Sequence, residues 1–196
     1  MSNAVRLPQP ITVEEFQDWV PPAGLEDRRW LLVNGEPVCM APAGEDHGAI
    51  QATVSAQLWQ HLRAQGGRCR VITTPGLIPR VGSRTNQLVP DVGVTCTPAL
   101  GSKTMRKPVL LVEIISPSNR KMTERNILAY ATIPSVREIL SLDSLSVAGK
   151  LYRRDAEGDW EDDPETLERS DWVRLTSIGF KAPIVDFYAT SSLAQG

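Results

Sequence analysis

Apolar and polar positions along this chain fall into short β-branched runs, interrupted by two stretches at helical spacing. Thr12-Val13-Glu14-Glu15 is a capping-box pattern, and Phe16 and Trp19 give the short helix that follows an apolar side. Trp30 to Val33 and Glu36 to Met40 flank Asn34-Gly35, the dipeptide that supplies the positive φ angles of a type I′ hairpin turn. Ile50, Val54, Leu58 and Leu62 recur at helical spacing and predict a helix over 47–65, capped by Asp46 and closed by Gly66-Gly67. Cys69 to Thr74 and Leu77 to Val81 read as a strand pair around Pro75-Gly76. LVPDVGVTC, from Leu88, and PVLLVEIISPS, ending at Ser118, read as neighbouring buried strands. A helix around Met122 to Tyr130 follows and stops at Ile133-Pro134. Glu138 to Leu142 and Val147 to Arg153 are two further strands, and the acidic, turn-rich tract from Asp155 to Asp171 reads as a solvated loop. Trp172 to Leu175, Ile178 to Phe180 and Val185 to Tyr188 supply short closing elements.

In strand alternation, Val109, Leu111, Glu113 and Ile115 share one face, and Leu110, Val112 and Ile114 the other. Both faces are apolar, so the strand is expected to be covered on both sides, as in an α/β sheet. There are no repeats and no low-complexity tract, and the 196 residues suit one domain, 1–196.

The candidate chemistry lies in those two strands. Each carries one carboxylate where a core strand should have none, Asp91 in the first and Glu113 in the second. A buried ionised carboxylate costs several kcal/mol unless a proton, a base or a cation compensates it. Paired strands lie about 4.8 Å apart and Mg²⁺ to oxygen bonds are about 2.1 Å, so one ion can bridge the two carboxylates. Gly93, beside Asp91 on its face, is read as leaving space for that ion or for a substrate. The bland alternatives are a structural ion pair for Glu113 and a simple turn for Pro90-Asp91. His47 and Gln51, one helical turn apart at the start of the 47–65 helix, are read as overhanging the same cleft.

Composition narrows the field. With 41% apolar and 22% charged residues the chain has the profile of an ordinary soluble globular protein, and no run reaches the 18 or more apolar residues of a membrane span. MSNAVRLPQP lacks an apolar signal core, so export is not expected. Cys39, Cys69 and Cys96 are odd in number, far apart and without a CxxC pair, and read as reduced core thiols of a cytoplasmic protein. A net charge of −2 argues against a generic nucleic-acid binder. Its distribution argues differently: residues 60–125 hold eleven Lys or Arg against three Asp or Glu, a net of +8, while the remainder carries −10. Phosphate-rich partners would be attracted to that segment, unless it is only a solvated basic surface.

Helix, three strands, helix, strand is also the core order of the PD-(D/E)xK nuclease superfamily, and Pro90-Asp91 precedes Glu113 by a spacing of that sort. More specifically, the chain resembles the Uma-two family of restriction-endonuclease-like proteins. The resemblance runs over about residues 11–188: ITVEEF at 11–16, VNGEPVCMAP at 33–42, HGAIQ at 47–51, VPDVGV at 89–94, LLVEIISPSN at 110–119 and AYATIPSVREIL at 129–140. It implies an α/β (α+β) restriction-endonuclease-like fold with a mixed sheet and an N-terminal hairpin. It also implies a DNA endonuclease in which Asp91 and Glu113 hold Mg²⁺ or Mn²⁺, with a homodimer as one arrangement for cutting both strands. Three positions depart from the family pattern. Ile115 stands at the lysine of ExK, Asn126 where many relatives carry that lysine on the helix, and Leu31 where many begin the hairpin with Glu. Lys121 and Arg120 are then the nearby cations for the catalytic role. Gln51, Arg80, Arg84, Ser116, Asn119 and Arg120 are the expected nucleic-acid contacts, with His47 and Asn126 beside the reacting phosphate. The competing reading is a catalytically impaired binding or interaction module on the same fold.

Overall fold

Thr12 caps α1 (Val13–Gln17): its hydroxyl accepts from the Glu15 N–H while the Glu15 carboxylate accepts from the Thr12 N–H. The structure, a computed structural model, describes residues 9–195; residues 1–8, most of the stretch read for an export signal, lie outside the described residues. β1 (Trp30–Val33) and β2 (Glu36–Cys39) form the expected hairpin, turned by Asn34 at φ 51° and Gly35 at φ 81°. Only glycine suits the second position, because a Cβ there would sit 2.5 Å from that of Pro10.

α2 (Glu45–Ala64) starts two residues earlier than its apolar stripe suggests, with Gly44 as N-cap. Asp46 therefore caps nothing; its carboxylate accepts instead from the N–H and hydroxyl of Ser192, each at 2.7 Å. β3 (Arg70–Thr73), β4 (Val92–Thr95) and β5 (Pro108–Ile115) follow, then α3 (Arg120–Ala131) and β6 (Glu138–Asp143). This is the helix, three strands, helix, strand order anticipated from the sequence. β7 (Gly149–Arg153) and β8 (Glu165–Leu167) complete a six-stranded sheet of order β3-β4-β5-β6-β7-β8. β5 and β6 are parallel, joined by the α3 crossover, and the other pairings are antiparallel. A separate two-stranded unit, β9 (Trp172–Leu175) and β10 (Phe180–Pro183), precedes a 3₁₀ turn at Ile184–Tyr188.

Both sheet faces are covered. Ile50, Val54, Leu58 and Leu62 of α2 pack on Leu110, Val112 and Ile114, together with Phe180, Phe187 and Tyr188. Ile127 and Tyr130 of α3 pack with Leu111 and Ile139 on the opposite face. Each fully buried aliphatic side chain contributes about 2 kcal/mol, so these two clusters hold β5 rigidly in the middle of the fold.

Four further local expectations fail, each for a physical reason. Residues 77–81 form no strand: Leu77 makes a single bridge to Leu88, and Pro79 has no N–H to extend it. Cys69 and Cys96 are disulfide-bonded rather than reduced, because the Arg70–Thr95 register places the residues just outside both strands opposite each other. Cys39 is the free thiol. The acidic 155–171 tract contains β8, whose Leu167 is buried against β7. The space beside Gly93 is occupied by the Met105 thioether, which a Cβ at Gly93 would meet at 2.4 Å. Among the described residues no helix is long and apolar enough to cross a membrane.

Candidate active site

β4 and β5 pair with Val92 opposite Val112, and one further step along the ladder sets Asp91 against Glu113. Both residues are buried, Asp91 at 5% and Glu113 at 4% exposure. Asp91 is fixed on three sides. Its Oδ2 accepts from the Ile114 N–H at 2.7 Å, His47 Nε2 lies 3.3 Å from the same oxygen, and Gln51 Nε2 donates to its carbonyl at 2.7 Å. The N-terminal turn of α2 thus delivers His47 and Gln51 to the start of β4. On the other side, Glu113 Oε1 accepts from the Tyr130 hydroxyl at 2.6 Å.

The two carboxyl groups line the same cleft, close enough for the charge of Asp91 to act on Glu113. Burial, and then the charge of Asp91, push the pKa of Glu113 well above the usual carboxylate range, against the opposing pull of the Tyr130 hydroxyl. Without a cation, burial beside Asp91 therefore favours the protonated form of Glu113. Burial and the charge of Glu113 likewise push the Tyr130 hydroxyl up. Asn126, one turn earlier on α3, bears on the same hydroxyl, so a polar line runs Asn126–Tyr130–Glu113–Asp91–His47. His47 Nδ1, at the far end, is buried with no partner.

These groups lie at the base of a cleft of about 700 Å³. One wall is Met40–His47, from the hairpin end into α2; another is Ser116–Asn119 with Met122, Thr123 and Asn126 of α3; Ser144 and Leu145 form part of the rim. Ser116 and Asn119 line it, but Asn119 is also spent on the local turn, accepting from the Ser116 N–H and donating to the Ile114 carbonyl. Gln51, Lys121, Arg120, Arg80 and Arg84 do not line it. Arg120 pairs with Asp143 at 2.9 Å, and the backbone around Arg80 is tied to the Thr132 hydroxyl. Arg70, Lys103 and Arg106 surround a different hollow of about 400 Å³.

Two facing buried carboxylates, one of them holding a proton against its neighbour's charge, suit an oxygen-liganded hard cation. Mg²⁺ takes one or two carboxylates and completes its shell with water and phosphate oxygens. Among the described residues no group of three or more His, Cys, Asp or Glu is placed to hold a metal ion. Two carboxylates with cleft space for water make a donor set that fits magnesium or manganese by its oxygen chemistry.

Residues 13–184 match the family model Uma2, described as "Putative restriction endonuclease". The chain belongs to the Uma2 family. An uncharacterized protein of Synechocystis sp. is 30% identical over 184 residues, covering 91% of each chain. The crystal structure of a protein from Anabaena variabilis, titled a "putative nuclease belonging to DUF820", superposes with a TM-score of 0.73. It covers 92% of this chain and 98% of that one at 18% identity, a likeness of fold.

In this Uma2 chain two features of the cleft escape the sequence, the contact of Tyr130 and the approach of Arg28 and Arg29. Tyr130 stands in the sequence only as the end of the predicted helix, and nothing in its spacing shows that its hydroxyl meets Glu113. Leu31, the hairpin position read above as a departure from the family pattern, is buried opposite Val38 and brings no charge to the site. Arg28 and Arg29 line the cleft from the segment before β1, far outside the basic 60–125 stretch. The pattern of β1 and β2 predicts the hairpin, but not that its lead-in turns toward the carboxylates.

Proposed function

We propose that this Uma2 protein is a divalent-metal-dependent endonuclease acting on DNA phosphodiester bonds. The supporting observation is the pair of buried carboxyl groups, Asp91 and Glu113, facing each other at the base of an open cleft. Asp91, oriented by the Ile114 N–H, and Glu113, oriented by Tyr130, would hold a magnesium or manganese ion. When bound, such an ion lowers the pKa of water and stabilises charge on a phosphoryl group. The chain's own contribution is positional. Gln51 fixes the backbone of Asp91, Tyr130 fixes the carboxyl of Glu113, and His47 stands beside Asp91 with its Nδ1 buried and unpartnered.

A second reading has its own observation. Neither lysine position of the nuclease pattern is filled, with Ile115 on β5 and Asn126 on α3, and no lysine lines the cleft. A DNA-binding or interaction module with impaired chemistry would share these features. Incubation of plasmid with Mg²⁺ or Mn²⁺, run beside Asp91→Ala and Glu113→Ala, separates the two. Cutting by the wild type alone supports the nuclease. Equal cutting by all three proteins assigns the activity to a contaminant, and DNA binding without metal uptake favours the impaired module.

A further inference from the structure

We infer that Arg28 and Arg29 form the phosphate clamp of the cleft and that the basic 60–125 stretch does not; the inference rests on the reading of the cleft as a nucleic-acid site. The charge inventory carries it. Asp27, Glu45, Asp46, Asp91 and Glu113 line the cleft, and none of the eleven Lys or Arg of residues 60–125 does. Arg28 and Arg29 are its two cationic residues. A phosphodiester entering a space so rich in carboxylates meets repulsion that one divalent ion only partly offsets, so a nearby cation is required for binding.

These two residues are suited to that part. Among the described residues neither guanidinium takes part in a salt bridge, whereas Arg120, Lys103 and Arg153 are each committed to a carboxylate. Their side chains are exposed, and their backbone is anchored. The Arg28 N–H donates to the Leu25 carbonyl at 3.2 Å, and the Arg29 carbonyl accepts from the Met40 N–H at 2.9 Å, continuing the β1–β2 ladder outward. The indole of Trp30 donates to the same Leu25 carbonyl and locks the turn. Free guanidinium groups on a fixed backbone match the fork geometry that phosphate oxygens accept.

The rival footprint provides the comparison. Arg28→Gln/Arg29→Gln and Lys103→Gln/Arg106→Gln double variants would be titrated with a short fluorescent DNA duplex in EDTA over a range of salt, and with Mn²⁺ alone by calorimetry. Loss of two clamp contacts should weaken DNA binding about tenfold or more at low salt. It should also flatten the log–log salt slope by about 2, from roughly 0.9 per phosphate contact. Mn²⁺ uptake should match the wild type, which also reports that the variant is folded. Arg28→Lys/Arg29→Lys should restore most of the salt slope by keeping both charges. Flattening by the Lys103/Arg106 pair, with no change from the Arg28/Arg29 pair, overturns the inference. A wild type that takes up no Mn²⁺ and cuts no DNA, yet loses its binding on Arg28/Arg29 substitution, defeats the nuclease reading and leaves the clamp standing. A wild type that binds no DNA at low salt removes both.

Discussion

Two buried glutamates stand on neighbouring parallel strands of the same sheet, and their surroundings could hardly differ more. Glu138, on β6, is 1% exposed and fully partnered. Its Oε1 accepts from the Thr176 N–H at 2.9 Å, the Thr176 hydroxyl at 3.1 Å and Arg153 Nε at 3.4 Å, and its Oε2 from the N–H and hydroxyl of Ser177. Glu113, on β5, has one donor, Tyr130, and a second carboxylate in front of it. Glu138 joins the main sheet to the segment that follows β9, and nothing further is needed to explain it. Glu113 is left with a charge problem that the protein itself does not solve. A buried acid whose lone pairs are all met is architecture; one held against a like charge at the base of a cleft is a place for a cation or a proton.

The sharpest way to test that contrast is to exchange each acid for its amide. Glu113→Gln should reduce DNA cutting by about 10³-fold or more, about 4 kcal/mol of transition-state stabilisation, with a thermal midpoint no lower than wild type. A midpoint falling by many degrees would make Glu113 a structural residue like Glu138. Glu138→Ala should do the reverse. It leaves the Thr176 and Ser177 N–H groups and hydroxyls without their acceptor, while Arg153 keeps Glu165, and should cost about 3 kcal/mol of folding stability, read by denaturant titration. Mn²⁺ affinity of the folded fraction should be unchanged.

The pH dependence should separate the two regions next. Because the folded-state pKa of Glu113 is raised, the metal-free native state retains a proton that the unfolded chain has lost once pH passes the ordinary carboxylate range. Stability of the metal-free protein should therefore fall as pH rises from about 4.5 to the folded-state pKa, and then level off. Glu113→Gln should abolish that decline. The same proton must leave when a cation binds, so Mn²⁺ affinity should rise by up to about tenfold per pH unit over that window. Flat stability and flat affinity across it would contradict the upward shift of Glu113.

How much of this was legible without coordinates depends on whether a residue's role is written in its own strand. Glu113 stood out because LLVEII is apolar on both faces, and the pairing of β4 with β5 follows from their adjacency. The capping box at Thr12 and the Asn34-Gly35 turn are local, and local chemistry is what sequence displays best. The Cys69–Cys96 bond, the filling of the Gly93 space by Met105 and the approach of Arg28 and Arg29 to the cleft all join segments distant along the chain. Each depends on strand register or on the path of a loop, and neither has a composition signal. Leu167 was lost among acids because a three-residue strand is too short for alternation to show.

The smallest effect expected is at Tyr130. Tyr130→Phe removes the hydroxyl that opposes the upward shift of Glu113, so the carboxyl should hold its proton more tightly. Mn²⁺ affinity near neutral pH should drop by about threefold to tenfold, roughly 1 kcal/mol, and recover at higher pH. A loss that no rise in pH recovers would show that Tyr130 acts through packing.

The central claim, that Asp91 and Glu113 together form a divalent-cation site, is tested most directly by calorimetric titration of Mn²⁺ into the metal-free protein. The titration is run in two buffers of different ionisation enthalpy, beside Asp91→Asn and Glu113→Gln. One ion per chain, bound with release of a proton by the wild type and by neither variant, is the predicted result. No uptake at millimolar Mn²⁺, or uptake that survives in both variants, would contradict it.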